Sequence, residues 1–131
     1  MKISRSRIAE FPHLSRREVA DQMDKSTLVI LPSGADAFGL VALEALSRDR
    51  PCLVSHLSGV SQLYREAGFD RWVVDSEAPD AWFEKIREIV GTPETVQQAI
   101  VDSRTLFDLI NNFSALSMQE LIKRMATEST D

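Results

Sequence analysis

Several things are scarce in this 131-residue chain, and each scarcity excludes something. There is one cysteine, Cys52, so no internal disulfide can form; it lies in an apolar run and reads as a small buried hydrophobe. The two histidines, His13 and His56, both fall in loops without a second ligand at sensible spacing, so no metal site is expected. Basic residues are outnumbered, 15 Lys and Arg against 20 Asp and Glu, and the net charge of −5 with no basic stripe argues against a nucleic-acid partner. No apolar run approaches the roughly 18 residues of a membrane span, and the amino terminus shows no signal-peptide core. No transmembrane segment and a cytoplasmic location are therefore the expectation. No internal repeat or low-complexity segment is visible. Ser33 has neither a Gly-x-Ser-x-Gly setting nor a paired His, which argues against a hydrolase nucleophile, and no Gly-Lys-Ser/Thr element marks a P-loop.

What is present is ordinary globular composition, 44% hydrophobic and 27% charged, enough for one domain with a core. Strands and helices alternate. Ser15-Arg16-Arg17-Glu18 is a capping box that opens a helix to about Lys25 with Val19, Ala20 and Met23 inward. Thr27 to Leu31 reads as a buried strand, followed by a helix from Phe38 to Arg48 and a strand from Cys52 to Ser55. A short helix from Gln62 to Glu66 ends at Gly68, and Trp72 to Val74 forms a third strand. Pro79 sits in the first turn of a helix to Val90. Thr92-Pro93-Glu94 caps another helix, to about Leu109, and Ser114 opens a last one through Met125 before a frayed tail at 127–131. Arg7 to Phe11 is a further short strand candidate. Apolar strands alternating with helices indicate a parallel sheet covered on both faces.

The richest segment is 31–46, Leu-Pro-Ser-Gly-Ala-Asp-Ala-Phe-Gly-Leu-Val-Ala-Leu-Glu-Ala-Leu. A strand runs into a Pro-Ser-Gly loop, and the loop opens a helix that is apolar almost all round. Asp36 stands at the turn and Glu44 within the helix. An isolated buried carboxylate is costly without a partner, so a polar ligand at the amino end of this helix is expected. The free N–H groups and the dipole there suit a diphosphate, and Gly39 permits close approach to the backbone. The bland alternatives are Asp36 as a plain N-cap and Glu44 as a groove-edge residue.

This segment resembles the nucleotide-sugar site of group 1 glycosyltransferases, retaining enzymes with two Rossmann-like domains (the GT-B architecture). Their pattern runs Pro-Ser-x-x-Glu-Gly-Phe-Gly-Leu-x-x-Leu-Glu-Ala, which Pro32, Ser33, Phe38, Gly39, Leu40, Leu43, Glu44 and Ala45 match. Arg50-Pro51-Cys52-Leu53-Val54-Ser55, Ser58-Gly59-Val60-Ser61-Gln62-Leu63 and Asn112-Phe113-Ser114 continue the resemblance, which covers about residues 8 to 125. It implies an α/β fold: a truncated Rossmann-like parallel sheet of about four strands with helices on both faces, as in the C-terminal domain of GT-B enzymes. It also implies a nucleotide-diphosphate sugar as donor substrate, with no further cofactor. By this resemblance the catalytic-side role at the donor sugar falls to Asp36 and the ribose hydroxyls to Glu44, with Ser33, Ala37, Phe38, Gly39 and Leu40 expected to line the donor.

The departures are as informative. Asp36 stands where the family has Glu, Ala37 where it has Gly, and Gln62 near another common Glu. The family's preceding strand–helix units, with their Gly-rich loop and Arg/Lys pair, have no counterpart here, and Arg5, Arg7, Arg16 and Arg17 read as solvated charges. Without them a leaving diphosphate lacks cationic stabilisation, so catalysis by this chain alone is not expected. With those strands absent, the Thr27–Leu31 edge is expected to pair with another copy, a partner chain or the Arg7–Phe11 segment. Two readings follow: a donor half-site completed elsewhere, or a non-catalytic relic serving as an interaction or assembly subunit.

Overall fold

The structure, a computed structural model, describes residues 8–32 and 40–112. It is an α/β fold built on three parallel strands: β1 (Val29–Leu31), β2 (Cys52–Ser55) and β3 (Val73–Val74), in the order β1-β2-β3. Among the described residues five α-helices accompany them: α1 (Arg16–Lys25), α2 (Leu40–Ser47), α3 (Val60–Glu66), α4 (Pro79–Val90) and α5 (Pro93–Asn112). The arrangement fits a truncated Rossmann-like domain. About four strands were expected and three form among the described residues, because 8–11 of the Arg7–Phe11 segment lie outside any strand. The final helix from Ser114 and the tail at 127–131 fall outside the described residues.

Local signals start and stop the helices. At α1 the expected capping box is formed: the Ser15 Oγ accepts from the Glu18 N–H at 3.1 Å, and the Ser15 N–H donates to the Glu18 carboxylate at 3.1 Å. Those bonds hold the Glu18 carboxyl below its ordinary range. At the other end the Arg50 guanidinium donates to the carbonyls of Met23 and Asp24, and Arg48 pairs with Asp24 at 2.8 Å. Carbonyls left over at a helix C-terminus are thus answered by cations from the turn after α2. Pro79 opens α4 as expected.

Boundaries shift where a tertiary contact intervenes. β1 begins at Val29 instead of Thr27, because pairing starts where the Val29 N–H reaches the Pro51 carbonyl at 2.9 Å. Helix α3 begins at Val60, two residues early, because Ser58 turns the chain into it: the Ser58 Oγ accepts from the Val60 N–H and its carbonyl from the Ser61 N–H. Trp72 lies in a 3₁₀ turn (Asp70–Trp72) ahead of β3 and is not part of the strand.

The core sits on both sides of β2. Successive strand residues face opposite ways, yet Cys52, Leu53, Val54 and Ser55 are all at most 1% exposed, so both faces are covered. Met23 of α1, Leu46 of α2, Tyr64 of α3, Trp82 of α4, and Leu106 and Ile110 of α5 pack into this cluster. Each such side chain, fully buried, contributes about 1.5–3 kcal/mol. The indole N–H of Trp82 donates to the Ser76 carbonyl, and the phenol of Tyr64 to the Cys52 carbonyl at 2.9 Å. β1 pairs only with β2, which leaves its other edge unpaired among the described residues.

Candidate functional site

In an open parallel sheet ligands gather beyond the carboxyl ends of the strands. Here those ends are Leu31, Ser55 and Val74, and the chain leaves them through the 32–39 connection, the loop His56–Leu57–Ser58–Gly59 and the loop Asp75–Ser76–Glu77–Ala78. Among the expected site residues, Ser33, Asp36, Ala37, Phe38 and Gly39 lie outside the described residues. Leu40 and Glu44 are described, and both belong to α2.

Helix α2 is sided despite its apolar composition. Ala42, Ala45 and Leu46 are buried against the sheet and α5, whereas Leu40, Glu44 and Ser47 share the opposite stripe by their four- and three-residue spacing. Leu40 is 62% exposed and Glu44 is half-buried. Glu44 is thus not embedded in the core, as the all-round apolar sequence suggested. It stands on the outward stripe one turn in from the strand-end side. Its carboxylate makes no hydrogen bond or ion pair among the described residues; only its carbonyl is used, accepting from the Ser47 hydroxyl. A half-shielded carboxylate with no donor on it among the described residues can take two hydroxyl donors at once, which is what a diol offers.

The loop after β2 is held by its own serines. The Ser55 Oγ accepts from the Leu57 N–H and the Ser58 Oγ from the Val60 N–H. The Ser61 hydroxyl donates to the carbonyls of Ser58 and His56. Ser55, Ser58 and Ser61 are all buried. This network fixes His56, whose backbone N–H and ring Nδ1 both meet the Val74 carbonyl, at 3.0 and 3.1 Å. Sequence reasoning treated His56 only as an unpromising metal ligand. Its position one residue past a buried strand was the available signal.

The electrostatics of this end are one-sided. The segments that follow the three strands carry Asp36, Asp75 and Glu77 and no Lys or Arg. The cation recorded at Asp75 is Arg65 of α3, already ion-paired with that carboxylate. Among the described residues no cluster of His, Cys, Asp or Glu could hold a metal ion. No described helix is long and apolar enough to cross a membrane.

The family model for "Family 4 Glycosyltransferase in conflict systems" matches residues 7–109. The chain belongs to this glycosyltransferase family. Curated relatives agree. A D-inositol 3-phosphate glycosyltransferase of Mycolicibacterium gilvum is 30% identical over 111 residues, 84% of this chain and 25% of the relative. A D-inositol 3-phosphate glycosyltransferase 1 of Catenulispora acidiphila is 34% identical over 82 residues, 63% of this chain and 19% of the relative. A glycosyltransferase of Methanocaldococcus jannaschii is 27% identical over 77 residues, 59% and 22% respectively. The glycosyltransferase-family chain thus spans a quarter or less of the length of these relatives. No solved structure matches it.

Proposed function

We propose that this family 4 glycosyltransferase chain forms the donor half-site of a retaining transfer from a nucleotide-diphosphate sugar, within a conflict system. Glu44 accepts hydrogen bonds from the nucleotide ribose hydroxyls. Asp36 contacts the donor sugar, and Ser33, Ala37, Phe38, Gly39 and Leu40 surround the diphosphate. The observation that carries this reading is Glu44 itself: a half-buried carboxylate on the outward stripe of α2, with no partner among the described residues. The other half-site, with the cations that neutralise the leaving diphosphate, comes from outside these loops, because the segments following β1, β2 and β3 contain none.

Calorimetric titration with UDP-, GDP- and ADP-glucose tests it. Binding of one nucleotide class at micromolar to low-millimolar affinity is expected, weakened about tenfold or more by Glu44→Gln, since a hydrogen bond to a charged group is worth about 1.5–3 kcal/mol. The melting temperature should stay put, because Glu44 makes no described contact that the amide would break. A second reading, a non-catalytic assembly subunit, is favoured by Asp36 and Ala37 standing in for the family's Glu and Gly, and by the absence of basic residues after the strands. Silence of the folded chain toward all three donors would decide for it.

A further inference from the structure

We propose that His56 is a donor-binding residue, its Nε2 accepting a hydrogen bond from a sugar hydroxyl of the nucleotide sugar; this rests on the half-site reading above. The ring is fixed in one orientation. A carbonyl can only accept, so the 3.1 Å contact to the Val74 oxygen places the proton on Nδ1 and leaves Nε2 as the acceptor. Nε2 takes no hydrogen bond among the described residues, although the side chain is half-buried.

Three further observations make this an organised acceptor instead of an incidental loop histidine. The backbone N–H of His56 is bonded to the same Val74 carbonyl, so the residue is clamped between the ends of β2 and β3. The loop it heads is tied by the buried Ser55, Ser58 and Ser61, which spend their oxygens on the loop's own N–H and carbonyl groups. A ligand therefore finds the imidazole already placed and does not have to order the loop. Beside it Leu57 is 53% exposed, an apolar surface at the strand-end side where a ring face could rest. A half-buried acceptor without a cation suits a hydroxyl and disfavours a phosphate oxygen, which has no proton to give at neutral pH.

The test separates this role from the half-site itself. In His56→Asn the amide nitrogen occupies the place of Nδ1 and can still donate to the Val74 carbonyl, while the Nε2 acceptor is gone. Wild type and His56→Asn are titrated with UDP-, GDP- and ADP-glucose and with the matching free nucleoside diphosphates, with melting curves as the folding control. About five- to tenfold weaker binding of the nucleotide sugar by the variant is expected, the weight of one hydrogen bond. If the free diphosphate is unaffected, the hydroxyl belongs to the transferred sugar; if both weaken alike, it belongs to the ribose. Unchanged affinities in the variant overturn the assignment and leave the half-site standing. Silence of the wild type overturns both. A measurement without substitution runs in parallel: the ¹⁵N resonance of the unprotonated Nε2 should shift toward a hydrogen-bonded value when donor is added, and an unmoved resonance at saturation counts against the role.

Discussion

The indole N–H of Trp72 donates to the Oδ2 of Asp102 at 3.0 Å, tying the turn ahead of β3 to the middle of α5. Asp102 also receives the Arg71 guanidinium through Nε at 3.1 Å and Nη2 at 2.9 Å, and the Gln98 amide at 3.0 Å. Arg71 in turn lies over the Phe69 ring, 4.6 Å from its centroid. The Asp102 carboxylate is buried and accepts from three side chains, which ties α5 to the turn ahead of β3.

Asp102→Ala is expected to cost about 1–3 kcal/mol in chemical denaturation, because the indole N–H of the buried Trp72 loses its partner while the half-exposed Arg71 turns to water. The pH dependence follows from the same geometry. Burial pushes the Asp102 carboxyl up, but the hydrogen bonds from Trp72, Gln98 and Arg71, with the Arg71 charge, outweigh it and hold it below its ordinary value. A carboxyl lowered on folding stabilises fully above its unfolded value, and that stabilisation is lost as pH falls through the native one. Wild-type stability should therefore drop on acidification below the ordinary carboxylate range, and Asp102→Asn should flatten that drop while being weaker at neutral pH.

Tyr64 offers a spectroscopic check, since it is the only tyrosine in the chain. Its ring is fully buried, and burial, reinforced by the neighbouring Cys52, raises the phenol well above its ordinary value. Absorbance at 295 nm should show no ionisation near pH 10 while the protein stays folded, and a single step when alkali unfolds it. The sign is the reverse of Asp102: the contribution is complete below the unfolded value and is lost as pH rises through the native one. Tyr64→Phe should cost about 1–2 kcal/mol, the Cys52 carbonyl being left without that donor.

The edge of β1 that is unpaired among the described residues gives a third expectation. Parallel pairing uses alternate residues, so with Val29 bonded to Pro51 the peptide groups of Ile30 face away from β2, and its side chain is 40% exposed. Such an edge favours association on concentration. Ile30→Lys should leave the melting temperature within the small range usual for surface changes and reduce self-association, read by light scattering across a concentration series. Equal scattering by both chains would show that this edge takes no part.

Much of the fold was legible in the residues. The capping box at Ser15, the strand Cys52–Ser55 and the proline start of α4 are formed as read, and Trp72 and Trp82 are in the core. For the candidate site the resemblance singles out Glu44, and the structure supplies its setting: apolar neighbours in sequence do not bury a residue whose stripe on the helix faces outward, and Glu44 is half-buried. The short strand before Leu31 and the early start of α3 were misplaced for a related reason, because each boundary is set by a bond to a residue elsewhere in the chain or loop.

By itself the sequence determined the alternation of strands and helices, the helix starts and the family, because caps, periodicity and motif spacing act over a few residues. The tertiary structure decided what spans longer intervals: that Trp72 finds Asp102 thirty residues on, and that His56 meets Val74 eighteen residues on. Those pairings depend on the β2–β3 register and on where α5 packs beside the turn ahead of β3. No local signal encodes them, since each partner is specified only once the strands have paired.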